Sequence, residues 1–237
     1  MTEEFMEMFN VVIQLGAILA VVVLFFPKLW PFTTKKKGWI KKDTWMMWFK
    51  VIVAVLPAAV LGILFDDVLD EMFYNFQTVA ITLIVYGVLF IVVENWNRGR
   101  RPRIRSIKDM TFQTAFFIGM FQVLSLIPGT SRSGATILGA IILGCSRYIA
   151  AEFSFFLAIP VMFGASLLKM LKFGWTMNGA EITILLVGMV TAFIVSMVSI
   201  KFLMGYVKKH DFKFFGYYRI VLGIIVLAYF IVKSLIV

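Results

Sequence analysis

Long apolar runs recur along the whole chain, separated by short charged loops, and this pattern restricts the fold more than any other feature. With 61% hydrophobic residues among 237, the sequence is typical of a protein that has the lipid bilayer as its solvent. A helix needs about twenty apolar residues to cross a bilayer. We therefore predict an all-α polytopic membrane protein with about six transmembrane helices, at 10–30, 46–65, 77–96, 148–170, 181–206 and 218–237.

The loops between these runs alternate in charge. Loops 28–43 and 98–108 and the stretch "KKHDFK" are basic, whereas "FDDVLDEMFYNF" carries four acids and no basic residue. The positive-inside rule places the basic loops in the cytoplasm and the acidic loop outside. This topology also accounts for the net charge of +10, so the charge does not indicate nucleic-acid binding.

The segment 110–146 does not match a simple span. It is too long for one crossing and too short for two, because its second arm, 135–145, would be only about 16 Å long. We predict a re-entrant helical hairpin that turns near the middle of the membrane and lines a cavity. Three crossings before it and three after it indicate an inverted repeat within one integral membrane domain, 1–237: an incomplete first repeat, 1–109, whose hairpin is missing, and a second repeat, 110–237.

Arg132 is the only charged residue between Asp109 and Arg147, and it lies in the turn "IPGTSRSGAT". A charge at this depth costs a few kcal/mol unless it is paired or solvated. Glycine backbone, hydroxyl groups and a helical arm starting near Ala135 would surround its guanidinium. These groups together favour an anion site, with phosphate the best match, formed by Gly129, Thr130, Ser131, Arg132, Ser133, Gly134 and Thr136.

Other interpretations of the charged residues stay open. Arg132 could instead snorkel or neutralise a buried acid such as Glu152, and Glu152 could pair with Arg132 or Arg147 or bind a divalent cation. Cys145 is predicted to be a small packing residue. The single histidine, His210, excludes a phosphatase built on two histidines.

Three stretches resemble the undecaprenyl-diphosphate phosphatases, also called bacitracin-resistance proteins: "PGTSRSGAT", "SRYIAAEFSFFLAIPVMFGA" and "FNVVIQLGAILAVVVLF". The resemblance covers essentially the whole chain. It implies a multi-pass enzyme of the bacterial cytoplasmic membrane that converts undecaprenyl diphosphate to the monophosphate, recycles the carrier for peptidoglycan synthesis and confers bacitracin resistance. It also implies an active site open to the outside of the cell and dependence on a divalent cation such as Mg²⁺.

Carried over to this chain, the resemblance makes Arg132 and Ser131 the catalytic candidates. Substrate binding falls to Gly129, Thr130, Ser133, Gly134 and Thr136, and the role of Glu152 is left open between pairing and metal binding. The family's first signature, a glutamate-rich hairpin expected to supply most cation ligands, should precede "FNVVIQLGAILA" but is not found. We therefore expect an N-terminally truncated sequence, which leaves open whether this chain is itself active.

Two other classes of function are compatible with the same residues. An inverted repeat with a midplane hairpin also suits a transporter or flippase for a phosphate-bearing lipid or anion. A non-catalytic paralogue would bind a polyprenyl diphosphate without turnover. In each case the expected partners are a polyprenyl diphosphate and membrane lipids but no nucleic acid, and a homodimer is one option for the oligomeric state.

Overall fold

The computed structural model describes residues 2–32, 41–73, 75–174 and 177–236, and these are almost entirely helical. They contain no β-strand; an isolated bridge joins Ile104 and Cys145. The helices are α1 (Glu3–Val12), α2 (Gln14–Leu29), α3 (Lys42–Phe73), α4 (Phe76–Trp96), α5 (Phe112–Val123), α6 (Arg132–Ile142), α7 (Arg147–Phe173), α8 (Gly179–Tyr206) and α9 (Lys213–Ile236).

Within the described ranges, six stretches of helix are long and apolar enough to cross a membrane. Their bounds are Glu4–Leu29, Lys42–Phe65, Phe76–Trp96, Arg147–Phe173, Gly179–Tyr206 and Lys213–Lys233. Each overlaps one of the six segments expected from hydropathy, and large apolar side chains along them are exposed, as lipid-facing side chains are. The prediction of an all-α, multi-pass membrane protein is confirmed.

Helix α3 differs from the prediction at its C-terminal end. It continues to Phe73, so most of the acidic stretch expected to be a loop is helical. The stretch from Phe65 to Phe73 contains neither glycine nor proline, and its Leu, Glu and Met residues are good helix formers, so nothing local ends the helix at the last apolar turn. The next helix begins at once, because the Asn75 side chain accepts a hydrogen bond from the Thr78 amide at 2.8 Å.

The chain divides into two compact units. The first comprises residues 1–49 and 155–206, and the second comprises residues 50–154 and 207–237. In the first unit α2 packs along α8, and the close approach occurs at Gly16, whose Cα faces the Met189 backbone. An apolar cluster of Phe5, Met8, Val12 and Leu185 is buried there.

In the second unit α4 and α9 run antiparallel in close contact. A Cβ added at Gly87 would lie 2.7 Å from the Gly216 carbonyl oxygen, and one added at Gly216 would lie 2.7 Å from that of Gly87. Neither position therefore has room for a side chain, and small residues of this kind are what allow membrane helices to approach closely. Farther along the same interface, Phe76 and Phe230 stack with their ring centroids 3.9 Å apart.

The buried Glu94 carboxylate brings three helix ends to one level. It accepts hydrogen bonds from Arg147 Nε, at 2.9 and 3.0 Å, and from the Phe212 amide at 3.1 Å. The C-terminal end of α4 therefore meets the N-terminal ends of α7 and α9. The Ser146 amide, next to Arg147, donates to the Ile104 carbonyl at 2.9 Å, which ties the basic loop to the same level.

Helices α5 and α6 form the hairpin expected in 110–146, as two arms shorter than any of the six spans. Its base is fixed by the bridge between Ile104 and Cys145. The first arm therefore starts, and the second arm ends, near the level of Glu94, as a re-entrant hairpin requires. The division into two repeats, 1–109 and 110–237, stays a prediction, because the compact units group residues by contact and not by repeat.

Candidate functional site

The tip of the hairpin packs against α4. The Thr82 hydroxyl lies 2.9 Å from the Pro128 carbonyl oxygen, and Gly129 adopts a φ of +84°. A Cβ at Gly129 would lie 2.7 Å from the Val79 carbonyl oxygen, so conformation and space both favour glycine here. At 1.5 Å per residue, Thr82 lies about 21 Å along α4 from Trp96. The hairpin therefore reaches past the middle of the span.

Helix α6 begins at Arg132, three residues earlier than the expected start near Ala135. Ser131 is its N-cap: its Oγ accepts a hydrogen bond from the Gly134 amide at 3.2 Å and lies 3.1 Å from Ser133 Oγ. A serine N-cap satisfies amide groups that the first helical turn cannot pair, which favours the earlier start. Arg132 is thus placed in the first turn, at the positive end of the helix dipole.

Three hydrogen-bond donors in this unit are buried without a partner among the described residues. They are Thr130 Oγ1, Arg132 Nη1 and Arg219 Nη1. Leaving one such donor unsatisfied costs about 1–3 kcal/mol, and more when the group is charged. Two of the three belong to guanidinium groups, so the group that would satisfy them is an anion.

Arg219, on α9, was not predicted as a site residue. It is the second residue of a predicted span, where a charged side chain can reach the membrane interface. In the structure it points inward, with its Cζ 5.7 Å from the Phe90 ring centroid. A Cβ at Gly134 would lie 3.2 Å from Arg219 Nη2. Gly134 therefore provides the surface on which the second guanidinium rests, beside the first turn that carries Arg132.

Tyr86 marks the depth of this site. Its side chain lies close to Thr130 and within electrostatic range of Arg219. Because Tyr86 is at the middle of α4, both ends of that helix are about 15 Å away. The unpartnered donors therefore lie near the centre of a transmembrane span.

Thr136 has a different environment. Its side chain is 1% exposed, and its Oγ1 lies 2.7 Å from Ser154 Oγ and 3.0 Å from the Arg132 carbonyl oxygen. A hydroxyl that already has two such neighbours is better placed to hold α6 against α7 than to contact substrate. Its expected role in substrate binding stays a prediction.

Glu152, on α7, is buried at 2% exposure, and its role stays open. Of its two expected partners, Arg147 bonds Glu94. Cys145 is buried as predicted, and burial raises the pKa of its thiol to about 12, so it stays protonated at neutral pH.

The groups at the hairpin do not resemble a cation site. Among the residues that the structure describes, no three His, Cys, Asp or Glu side chains are grouped so that they could hold a metal ion. Two guanidinium groups, hydroxyls and a helix N-terminus instead suit the oxygens of a phosphate or diphosphate. The site can bind such a group and stabilise negative charge that develops on it.

Comparison with known proteins agrees with this chemistry. The family model of "Bacitracin resistance protein BacA" matches residues 1–225. A protein of Lachnoclostridium phytofermentans named undecaprenyl-diphosphatase is 63% identical over 98% of this chain and 84% of its own length. Proteins of the same name from Desulfitobacterium hafniense and Enterococcus faecalis are 62% and 59% identical, over 100% and 98% of this chain and 85% of their own lengths.

Proposed function

Because the chain belongs to the bacitracin resistance protein BacA family, we propose that it hydrolyses undecaprenyl diphosphate to undecaprenyl phosphate and inorganic phosphate. This reaction recycles the lipid carrier used in peptidoglycan synthesis and confers resistance to bacitracin. The structural observation that carries the assignment is the pair of inward-facing guanidinium groups, Arg132 and Arg219, each with a buried nitrogen that has no partner in the described part of the chain.

The reaction cleaves a phosphoanhydride bond. Water adds its oxygen to the terminal phosphorus, the bond from that phosphorus to the bridging oxygen breaks, and the bridging oxygen leaves on the lipid monophosphate. Negative charge spreads over the transferred phosphoryl group and the leaving oxygen. We assign Arg132 and Arg219 to neutralising this charge, since two guanidinium forks can contact both phosphates of a diphosphate.

The other residues of the turn support Arg132. Ser131 caps α6 and so fixes the guanidinium at the helix N-terminus, and its hydroxyl stays next to that of Ser133. We propose that Thr130, whose buried hydroxyl lies next to Tyr86, donates that hydroxyl to the substrate. Gly129 and Gly134 have no side chain, which leaves room for the close contacts with α4 and with Arg219, respectively.

We also propose that the reaction depends on a divalent cation such as Mg²⁺. The described residues offer no cluster of ligands for it, so we derive no step through a metal and assign none of them as a ligand. If the cation is required, phosphate release stops in excess EDTA and returns when Mg²⁺ is added above the chelator concentration. Release that continues unchanged in EDTA contradicts the proposal.

The charge pattern supports a location for the site. We propose that the protein lies in the bacterial cytoplasmic membrane with its basic loops in the cytoplasm, so that the site opens to the outside. A cavity of about 410 Å³ lined by Asn75, Phe76, Val79, Pro128 and Gly129 supports this direction, because it lies on the side of the hairpin tip away from Trp96. We propose a homodimer as the oligomeric state, which size-exclusion chromatography in detergent tests.

The direct test is release of inorganic phosphate from undecaprenyl diphosphate by the purified chain with Mg²⁺ in detergent. Undecaprenyl monophosphate, which has no phosphoanhydride bond, is the matched control and should release nothing. Stoichiometric lipid monophosphate and phosphate are the expected products. Absence of phosphate release under conditions in which the folded chain binds the diphosphate lipid would contradict hydrolysis.

A further inference from the structure

A second polar cavity lies at the Trp96 end of α4, away from the hairpin tip. Its volume is about 460 Å³, and it is formed where the loop after α4 crosses the C-terminal end of α6. Three arginines line it together with a tryptophan and aliphatic residues; the lining includes Trp96, Arg100, Arg101, Arg103, Ile142 and Gly144. None of these side chains belongs to the proposed active site, which lies near Tyr86, about 15 Å farther along α4.

Two of the arginines are held in position. The Arg100 guanidinium lies over the Trp96 ring, with its Cζ 3.7 Å from the centroid. The Arg103 and Ile104 amides both donate to the Gly144 carbonyl oxygen at 3.0 Å. Gly144 has a φ of +93°, which favours glycine, and an added Cβ would lie in ordinary van der Waals contact with the Arg103 side chain, 3.6 Å from its Cβ. The Arg100 side chain and the Arg103 backbone are therefore held in place by contacts at this end of the hairpin.

The positive charge of this cavity has no acidic partner among the residues that the structure describes. In the described ranges, Arg100, Arg101 and Arg103 take part in none of the ion pairs, which include those of Arg147, Lys169 and Lys213. Next to them, the side chains of Trp96 and Ile142 are 48% and 40% exposed. A fixed cluster of cations beside exposed apolar side chains, at the end of a transmembrane helix, is suited to a ligand that has both an anionic and an apolar part.

We propose that this cavity binds the phosphodiester headgroup of an anionic phospholipid from the surrounding membrane. The phosphate lies between Arg100 and Arg103, and the glycerol and first acyl carbons lie along Trp96 and Ile142. Free phosphate would use the arginines alone and leave these apolar side chains without a partner. The Arg100 guanidinium lies over the Trp96 ring, so a cation and an exposed apolar surface are directly adjacent in this cavity. The inference depends on the membrane location and not on the hydrolytic activity.

Native mass spectrometry of the full chain in non-ionic detergent tests this. Phosphatidylglycerol and phosphatidylcholine with the same acyl chains are titrated separately, and phosphatidylglycerol should bind more tightly. In Arg100→Gln/Arg103→Gln the affinity for phosphatidylglycerol should fall roughly 10- to 30-fold, as expected for two surface arginines. The matched control is Arg98→Gln/Lys209→Gln, which loses the same charge from two exposed residues that do not line the cavity. Its affinity should stay within about twofold of the starting value.

Equal losses in the two double variants would mean a general electrostatic attraction and would overturn the site. Competition by inorganic phosphate at millimolar concentration would overturn the lipid assignment in favour of a free-phosphate site. If the double variant fails to elute as a folded species, Arg100→Gln alone is used, since this side chain is exposed. It should weaken phosphatidylglycerol binding about fivefold, and an unchanged affinity would count against the proposal.

Discussion

Arg132 at the tip of the hairpin and Arg147 at its base occupy opposite situations within the same compact unit. Arg147 bonds the Glu94 carboxylate, which is itself buried and also accepts the Phe212 amide. Arg132 has a buried Nη1 with no partner within the described chain. In the sequence both are single arginines next to apolar segments, and Glu152 was a candidate partner for either.

The comparison separates a structural charge from a functional one. The Arg147 guanidinium already has a counter-charge in the buried Glu94 carboxylate, so it does not need a ligand and serves the fold. An unsatisfied guanidinium is an energetic cost in the free protein that an anionic substrate removes on binding. Substitutions at the two sites should therefore affect different measurements: turnover at the tip and stability at the base.

The largest effect is expected at the tip. Arg132→Ala should lower kcat for phosphate release about a thousandfold, because a guanidinium that stabilises the transferred phosphoryl group is lost. Arg132→Lys should be nearly as inactive, since it retains the charge but not the bidentate fork. The unfolding temperature in detergent should not fall in either variant. Near-normal turnover of the lysine variant would rule out the fork geometry.

Arg219, which sequence reasoning missed, should come next. Arg219→Ala is expected to lower kcat/KM about a hundredfold, as for removal of one transition-state donor. Tyr218→Phe is the control, because Tyr218 is 61% exposed and adjacent in sequence. Both are measured by initial rates of phosphate release. If the alanine variant retains activity within about twofold of the control, Arg219 does not belong to the site.

A substitution at the base of the hairpin should lower the stability of the protein. Glu94→Gln leaves Arg147 without its counter-charge, and since a third of that side chain is exposed we expect a loss of about 2 kcal/mol, below the range for fully buried pairs. Thermal unfolding in detergent measures the loss, and kcat per folded molecule should not change. Glu7→Gln, in an exposed ion pair with Lys169, should leave the unfolding temperature as it was. A large drop in kcat for Glu94→Gln would place the base within the catalytic machinery.

The smallest effect is expected for Thr136, on the hairpin arm α6 between the tip and the base. Thr136→Val keeps the shape of the side chain but leaves the Ser154 hydroxyl without its neighbour, so stability should fall by about 1 kcal/mol. KM for undecaprenyl diphosphate should stay within about twofold, whereas Thr136→Ser should restore the stability. A KM that rises tenfold in the valine variant, at unchanged stability, would instead place Thr136 in contact with substrate.

Much of the fold could be predicted because hydropathy is a local property. All six spans were found, since a helix in lipid must satisfy its own backbone hydrogen bonds and present about twenty apolar residues. The errors lie at the ends. The last span begins at Lys213 and not near Tyr218, and α3 continues through an acidic stretch, because helical hydrogen bonding does not stop where hydropathy does.

The site was predicted only in part. The turn from Ile127 to Thr136 could be recognised because its unusual residues are consecutive, so their proximity requires no tertiary information. The start of α6 was misplaced because the capping role of Ser131 was not considered. Which hydroxyls face a ligand could not be decided either, since Thr130 and Thr136 differ only in what packs around them.

The sequence alone determined that this protein crosses the membrane several times, that one arginine lies in a broken hairpin, and that the hairpin suits a phosphate. Each of these follows from residues close together in the chain. Only the tertiary structure decided that Glu94 is the partner of Arg147 and that Arg219 joins Arg132. The first contact depends on the end of α4 meeting the starts of α7 and α9, and the second on α4 packing against both α6 and α9. These contacts bring together residues far apart in sequence, and no local pattern specifies which distant residue will meet another.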